Sequence, residues 1–318
     1  MIAVIIPVYN AENYIAETVM SVLNQSYSMM KIKIILVDDG STDRSSEICD
    51  KLTKINKTVS VIHQANAGVS SARNRGIKEV LSKYNEILDN CYICFLDADD
   101  EWHHDFIDET VIRSFSSKYD IIAFNHYEAN SNMTKMRLIT NRYKNVELTG
   151  GKDAIWAHEK RHIGCMFFNA AFLKKYDILF PVGLKYNEDE IFKVYTECLA
   201  KKILLCEKAM YIYRLHGASA VHNLDKNITN RYCQWMAAWI DADITLQSKY
   251  NVKTSFGHKF AAMYFVEMHI VLVESLISFR KLKASYDRDN EYFSNYMLFS
   301  ETDFYLICKK MLHYLETI

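Results

Sequence analysis

Three carboxylates stand within four residues in the segment DADD at residues 97–100, directly after the apolar run at residues 92–96. Carboxylates that lie so close repel one another, which makes their joint ionisation unfavourable without a counterion. A divalent cation supplies that counterion, because Mg²⁺ and Mn²⁺ prefer oxygen ligands. A cation held there would neutralise the charge of a phosphate-containing ligand. The alternative is a polar turn that caps a helix beginning near Trp102, and these residues alone do not decide between the two interpretations.

The chain around this cluster alternates between short apolar runs and amphipathic segments. Such alternation predicts an α/β fold, with a mainly parallel sheet and helices on both of its faces. Ser41 and Thr42 offer capping groups for the second helix. We predict strands at residues 2–7, 32–37, 58–62, 92–96 and 121–124, helices at 12–24, 44–55, 70–84 and 188–200, and short strands at 203–206 and 210–214.

Polar residues follow three of the predicted strands directly. They are YN at residues 9–10, DDGS at residues 38–41 and DADD at residues 97–100. Ligands in sheets of this kind gather at the carboxyl ends of the strands. We therefore expect these three clusters to share one crevice.

The length, composition and net charge of the chain limit which class of protein it is. The chain has 318 residues, of which half are apolar and 24% are charged, as in globular proteins with a substantial core. A formal net charge of -1 gives no global field that would attract nucleic acid. The sequence opens on an apolar run rather than a secretory leader, and no apolar run reaches the roughly 18–20 residues that span a bilayer. We expect a cytoplasmic protein.

Eight cysteines occur in the chain, and two of them have C-x-x-C spacing. That spacing is typical of redox and zinc sites. Cys91 and Cys94 border or lie in the strand predicted at residues 92–96, where positions three apart face opposite sides. We therefore expect ordinary buried thiols.

Four motifs in the first hundred residues carry a family resemblance. They are IPVYN at 6–10, VDDGSTD at 37–43, NAGVSSARNRG at 66–76 and FLDADD at 95–100. In order and spacing they resemble inverting glycosyltransferases of family 2, with a GT-A fold and of the type that builds bacterial surface glycans. The resemblance implies a nucleotide-sugar glycosyltransferase domain at residues 1–219. The remaining residues, 220–318, are rich in aromatic residues and are predicted to form a helical C-terminal extension.

The resemblance also implies a pocket for the nucleotide base. Asp39 would accept a hydrogen bond from N3–H of uracil, which favours a UDP-sugar donor, and Tyr9 would lie against the ring. From the residues alone, the favoured interpretations are that Tyr9 is an aromatic at a strand end and that Arg73 is a solvated helix residue paired with an acid. The residues implied for this pocket are Pro7, Val8, Tyr9, Asp39, Asn66 and Arg73.

The diphosphate end of the donor is assigned to the DADD motif and to a later loop. The resemblance places Asp97 and Ala98 near the ribose, and Asp99 as a ligand of Mn²⁺ or Mg²⁺. In the segment YRLHGAS at residues 213–219, His216 would complete the metal shell and Arg214 would offset phosphate charge. The alternative for His216 is a solvated loop histidine.

The segment YNEDEIF at residues 186–192 resembles the Glu-Asp motif of the same family. An inverting transfer is a single displacement, so one carboxylate must take the proton of the acceptor hydroxyl. The resemblance assigns that role to Asp189, with Glu188 positioning it or binding the acceptor. The alternative is a helix N-terminus that is acidic because the helix dipole favours negative charge there.

Two rival functions remain from the sequence. The segment HEKRH at residues 158–162 matches the H-E-x-x-H pattern of zinc metallohydrolases, with His158 and His162 as ligands and Glu159 as base. Gly164 follows almost at once and leaves little helix, so we favour a surface or acceptor-side segment. The second rival is a non-catalytic protein that binds nucleotide sugars; the suitable residues at every expected position disfavour it.

The acceptor and the role of the C-terminal region are left open. The resemblance implies transfer of a single sugar to a glycan, a glycolipid or other lipid-linked oligosaccharide, or a glycoprotein. The C-terminal helices either pack on the catalytic domain, form a homo-oligomer, or make a peripheral membrane contact through residues 260–283, where Arg280, Lys281 and Lys283 cluster.

Overall fold

The computed structural model describes residues 1–25, 31–140, 145–150, 162–184, 187–215 and 228–252. The chain divides into two compact units, Met1–Ala220 and Val221–Ile318. In the described part of the second unit, a single long helix spans Ile228–Tyr250. Among the described residues, none of the helices combines the length and the apolarity needed to cross a membrane. The assignment of a donor-binding role to the first unit stays a prediction.

Ten strands and six α-helices make up the described part of the first unit. The strands are β1 Ile2–Val8, β2 Ile32–Asp38, β3 Val59–His63, β4 Tyr92–Phe95, β5 Glu101–Trp102, β6 Ile121–Asn130, β7 Met136–Ile139, β8 Val146–Leu148, β9 Met166–Asn169 and β10 Ile203–Leu215. The helices are α1 Ile15–Leu23, α2 Ser45–Ile55, α3 Val69–Lys83, α4 Glu109–Ser116, α5 Ala170–Tyr176 and α6 Glu188–Leu199, with short 3-10 helices at Asn85–Asn90 and Ile163–Cys165.

The strands form one mixed sheet in the order β3-β2-β1-β4-β9-β6-β10-β5, with β7 beside β6 and β8 beside β10. The first four strands are parallel, as predicted. The parallel arrangement ends at β9, which runs antiparallel to both β4 and β6. The α/β fold class is confirmed, but the sheet is mixed beyond β4.

Helices cover both faces of β1. Successive side chains of a strand point to opposite faces. Val4 joins a buried cluster with Ile15 of α1 and Cys49 of α2. On the other face, Ile5 lies so close to Gly76 of α3 that a Cβ at Gly76 would stand 2.5 Å from Ile5 Cγ2. The glycine of the NAGVSSARNRG motif therefore allows α3 to approach the sheet.

The predicted cap of α2 is wrong. Ser41 Oγ and the Thr42 N–H bind the backbone and side chain of Asn10 instead. The helix begins at Ser45, whose N–H donates to Asp43 Oδ1 at 2.9 Å. The sequence offered several capping groups in a row, and the contact with Asn10 decides which of them reaches the helix.

The later elements differ from prediction in extent. The two short strands predicted at 203–206 and 210–214 are one strand, β10, interrupted by irregular register between Leu205 and Tyr211. β6 continues to Asn130, and β9 was not predicted. Cys91 and Cys94 are buried free thiols, as expected.

His63 ties the end of β2 to α2. Its Nδ1 lies 2.9 Å from Asp38 Oδ2, and its Nε2 lies 3.2 Å from Asp50 Oδ1. The hydrogen bond with Asp38 raises the pKa of His63, against the opposing effect of burial, and Asp50 raises it further. The protonated imidazole therefore stabilises the strand end that carries the DDGS motif.

We predict that the stabilisation by His63 depends on pH. Because the pKa of His63 is raised in the folded state, the stabilisation is fully present below the ordinary value of about 6.5 and is lost as pH rises through the folded-state pKa. Urea denaturation measures the difference in the free energy of unfolding between wild type and His63→Gln. This difference should be larger at about pH 5.5 than at about pH 8.5. A difference that does not change with pH would contradict this role.

Candidate active site

The DADD segment forms a tight turn after β4, in which the Asp100 N–H donates to the Asp97 carbonyl at 3.1 Å. Asp100 is 1% exposed. Its carboxylate accepts hydrogen bonds from the Tyr211 hydroxyl and from the Arg214 N–H. Burial raises the pKa of Asp100 well above its usual range, and Asp99 and Asp97 raise it further. Asp100 thus anchors the turn to β10.

The alternative role of this segment as a helix cap is wrong. The two residues that follow it, Glu101–Trp102, form β5, which pairs with β10. The next helix, α4, begins at Glu109 and is capped by Asp108, whose Oδ1 accepts from the Val111 N–H at 2.9 Å. The acidic turn therefore has no helix to cap.

Asp97 faces two basic side chains across the crevice. Its Oδ1 accepts a hydrogen bond from an Arg73 guanidinium nitrogen at 2.9 Å, and its Oδ2 lies 3.7 Å from His162 Nε2. Burial alone would raise the pKa of Asp97, but Arg73 and His162 outweigh it and lower the pKa. Asp97 is therefore an ionised, half-buried carboxylate.

Arg73 joins Asp97 to the helix that carries the Glu-Asp motif. Its side chain is 5% exposed, and its second terminal nitrogen donates to Glu188 Oε1 at 2.9 Å. Burial would lower the pKa of Arg73, but Asp97, Glu188 and Asp189 outweigh it and raise the pKa. The guanidinium also lies over the ring of Phe180, 5.2 Å from its centroid. The predicted contact of Arg73 with the base stays a prediction.

The Glu-Asp motif lies at the N-terminus of α6. Burial raises the pKa of Glu188, although Arg73 opposes that effect. Asp189 is less buried than Glu188. Glu190 points elsewhere, since its Oε1 lies 2.6 Å from the buried Lys193 Nζ. The structure thus separates a buried acid that binds Arg73 from a neighbour that solutes can reach.

The structure places His162 in the crevice rather than on the surface, and the acceptor-side alternative for its segment stays a prediction. His162 lies 3.7 Å from Asp97, and its ring lies beside those of Tyr211 and Tyr213. Its backbone is extended, with φ -64 and ψ 139, so the last residue of the H-E-x-x-H pattern is not helical. The other positions of that pattern, 158–161, lie outside the described residues. The metallohydrolase interpretation therefore loses its helical basis at His162.

Ligand atoms of Asp97, Asp100 and His162 lie within 4.8 Å of one another, a spacing that fits a metal ion. Two of the three are engaged, however. Asp100 has both oxygens in hydrogen bonds, and the Gly164 N–H donates to His162 Nδ1 at 3.2 Å. With Nδ1 accepting, the ring proton lies on Nε2, which makes His162 a hydrogen-bond donor rather than a metal ligand.

Asp97 and Asp99 are the carboxylates of this turn that remain half-exposed. Their oxygen atoms are the donors that Mg²⁺ and Mn²⁺ prefer, so the turn fits a divalent cation. The predicted role of Asp99 as a ligand stays a prediction. His216, the other predicted ligand, lies outside the described residues.

Asp39 connects two of the sequence motifs. Its carboxylate accepts hydrogen bonds from the N–H groups of Ala67 and Gly68, at 2.9 and 2.8 Å, and from Gln64 Nε2 at 2.7 Å. A carboxylate offers about four acceptor positions, so about one remains for the N3–H of a base. The predicted contact of Asp39 with uracil stays a prediction.

The other residues of the predicted base pocket differ in exposure. Pro7 and Val8 are buried in β1, whereas Tyr9 is 52% exposed at the end of that strand. Asn66 is exposed in the loop before α3, and Ala98 is buried in the DADD turn. Of the strand-end residues 7–9, Tyr9 is the one available to a planar ring.

The expected role of Arg214 against phosphate charge finds no support. Its guanidinium donates to the carbonyl oxygens of Asp99 and Ser131 and to the carboxylates of Glu17 and Glu101. Arg214 is thus engaged by the protein itself.

The chain matches a family model described as "Glycosyl transferase family 2" over residues 3–178. It belongs to glycosyl transferase family 2. That span contains the four motifs of the first hundred residues, together with Asp97, Arg73 and His162. The predicted resemblance is therefore confirmed.

Bacterial proteins named as glycosyltransferases, and one named for teichoic acid biosynthesis, are similar to this chain. Glycosyltransferase GlyA of Streptococcus pneumoniae is 28% identical over 76% of this chain and 33% of GlyA. The uncharacterized glycosyltransferase EpsJ of Bacillus subtilis is 31% identical over 67% of this chain and 61% of EpsJ. The minor teichoic acid biosynthesis protein GgaA of Bacillus subtilis is 28% identical over 67% of this chain and 47% of GgaA. The chain therefore spans between a third and three-fifths of these relatives.

The fold is shared with S. aureus TarS. The structure of TarS 1-349 in complex with UDP-GlcNAc has a TM-score of 0.62 and 20% identity, over 83% of this chain and 71% of that one. The UDP complex of the same protein has a TM-score of 0.60 and 19% identity. At this identity the likeness establishes the fold, which agrees with the predicted α/β class.

We predict that Arg73 is required for the stability of the crevice. Replacing it by Gln leaves the buried carboxylate of Glu188 and the half-buried carboxylate of Asp97 without their counter-charge, which should cost about 3–5 kcal/mol of the free energy of unfolding. Chemical denaturation in the presence of a chelator measures this, because the chelator prevents a metal ion from compensating.

Arg113→Gln serves as the matched control. Arg113 pairs with Glu109 on the surface of α4 and is 76% exposed, so its loss should cost about 0–1 kcal/mol. Equal losses of stability in the two variants would contradict the bridging role of Arg73.

Proposed function

We propose that this protein is an inverting, metal-dependent glycosyltransferase that moves a single sugar from a UDP-sugar to a hydroxyl group of a glycan, lipid-linked or glycoprotein acceptor. The observation that carries the proposal is the ion pair of Arg73 with Asp97 and Glu188. The Arg73 side chain binds both the acidic turn, which fits a cation, and α6, the helix that carries the candidate base. A donor diphosphate and an acceptor hydroxyl would meet in that crevice.

The donor side of the proposal rests on Tyr9 and Asp39. The exposed ring of Tyr9 offers a surface on which a base stacks, and Asp39 lies in the loop beside it. TarS, which shares this fold, has been solved with UDP and with UDP-GlcNAc. These observations support a UDP-sugar as the donor.

Asp99 would hold Mn²⁺ or Mg²⁺, as would His216, and Asp97, which the resemblance assigns to the ribose side, offers a second carboxylate beside the cation. A bound divalent cation supplies neutralising charge to a diphosphate. The protein adds its own donor, because His162 Nε2 lies 3.7 Å from Asp97 Oδ2, where its N–H would bind an oxygen of the leaving group. The buried Arg73 keeps Asp97 ionised for this role.

Asp189 would be the general base. In a single displacement the acceptor oxygen attacks the anomeric carbon on the face opposite the leaving UDP, and its proton passes to the Asp189 carboxylate. Glu188 is less suited to this step, because it is buried and bound to Arg73. It would instead fix the first turn of α6, so that Asp189 faces the acceptor.

The remaining parts of the proposal rest on the sequence and the family. They are the class of acceptor, a cytoplasmic location at the inner face of the membrane, and association into a homo-oligomer. The C-terminal residues that would make membrane or subunit contacts, 260–283, lie outside the described residues.

We predict that Asp189→Asn lowers the turnover of a UDP-sugar by about 10²–10⁴-fold, because the base is lost, while UDP affinity is retained. Metal-dependent hydrolysis of a panel of UDP-, GDP- and CMP-sugars measures the turnover, and calorimetric titration measures UDP binding. UDP-sugars should be turned over in preference to the others.

Glu86→Gln is the control, because Glu86 is an exposed acid in the 3-10 helix before β4, at the opposite end of that strand from the acidic turn. It should leave turnover unchanged. Equal turnover in wild type and Asp189→Asn would refute the base assignment. Binding of UDP-sugars without turnover of any of them would favour a non-catalytic binding protein.

A further inference from the structure

Arg214 lies near the end of β10 and binds four residues from three separate segments of the chain. Its side chain is 5% exposed. Its guanidinium donates to the Asp99 carbonyl at 2.8 Å, the Ser131 carbonyl at 3.0 Å, Glu17 at 3.0 Å and Glu101 at 2.7 Å. The ring of Tyr14 lies 5.0 Å from the guanidinium carbon. A planar guanidinium is suited to such a set, because its N–H groups have fixed directions.

Arg214 also binds two neighbouring residues of the acidic turn, Asp99 and Asp100. The Arg214 backbone N–H donates to Asp100 Oδ1 at 2.8 Å, while its side-chain Nε donates to the Asp99 carbonyl. Two bonds on neighbouring residues restrict the backbone torsions between them. The direction of the Asp99 side chain follows from those torsions.

The charge of Arg214 also opposes the repulsion within the turn. Glu101 directly follows the turn, and both Glu101 and Glu17 of α1 accept hydrogen bonds from the Arg214 guanidinium. Without a buried cation, these carboxylates and those of the turn would repel one another. Arg214 therefore contributes both geometry and charge to the place where a divalent cation fits.

We propose that Arg214 is a positioning residue that sets the Asp99 carboxylate for a divalent cation and so controls the metal affinity of the protein. This rests on the proposed function, since it assumes that Asp99 binds the metal. Because its guanidinium is engaged by the chain itself, Arg214 would act through Asp99 rather than on the metal or the donor. Groups that orient a metal ligand typically change metal affinity by about 10–100-fold when they are removed.

The test is the dissociation constant of Mn²⁺ in the presence of UDP, measured from the paramagnetic resonance signal of the free ion. Arg214→Gln should raise it by about tenfold or more. Arg214→Lys should raise it similarly, because lysine keeps the charge but loses the planar fork. Arg113→Gln should leave it unchanged. Binding of UDP with a chelator present should be the same in all four proteins.

The UDP measurement with chelator separates a loss of metal affinity from general unfolding. Wild-type Mn²⁺ affinity in a folded Arg214→Gln protein would overturn the proposal, as would full rescue by lysine. If the Arg214 variants do not fold, Glu101→Gln replaces them: a severalfold weaker Mn²⁺ affinity is expected, and wild-type affinity would overturn the proposal. If the wild type binds no Mn²⁺ with UDP, the metal-dependent function itself fails.

Discussion

The ion pair of Arg73 with Asp97 and Glu188 is the interaction on which the crevice depends. It joins the turn after β4 to the first turn of α6, elements that are separated by more than eighty residues in sequence. Burying a guanidinium is unfavourable by itself, and two carboxylates close together are unfavourable as well. The cost of burying the guanidinium and the repulsion between the carboxylates are both offset when Arg73 lies between Asp97 and Glu188. The ion pair thus fixes the distance between the acidic turn and the Glu-Asp motif.

Neighbouring acids of the crevice differ in burial and in their contacts. In each adjacent pair, one carboxylate is buried and bound by an arginine, and the next is left accessible. Glu188 binds Arg73 and leaves Asp189 accessible. Asp100 accepts from the Arg214 N–H and leaves Asp99 accessible. The buried member supplies rigidity, so that in the proposed function the more accessible member would meet a ligand in a fixed direction.

The first half of the fold was predictable from the sequence because its parallel strands are buried on both faces and form nearly continuous apolar runs. β9 was not, because Met166–Asn169 has four residues and nothing in the order of elements indicates an antiparallel insertion. The motifs indicated which residues meet in the crevice. They did not show that His162 lies beside Asp97, since that contact depends on tertiary structure and the H-E-x-x-H pattern suggested another role. The partners of Arg214 could not be predicted either, because those contacts also depend on tertiary structure.

The proposed function requires the acidic turn to bind a divalent cation that also contacts the diphosphate of a nucleotide. Electron–nuclear double resonance on the protein with Mn²⁺ and UDP tests it most directly, because a coupling between the ion and phosphorus nuclei is seen only when they are in contact. Such a coupling is expected in the wild type, and its loss is expected when Asp97→Asn and Asp99→Asn are combined. Bound Mn²⁺ without phosphorus coupling, or an unchanged coupling in the double variant, would contradict it.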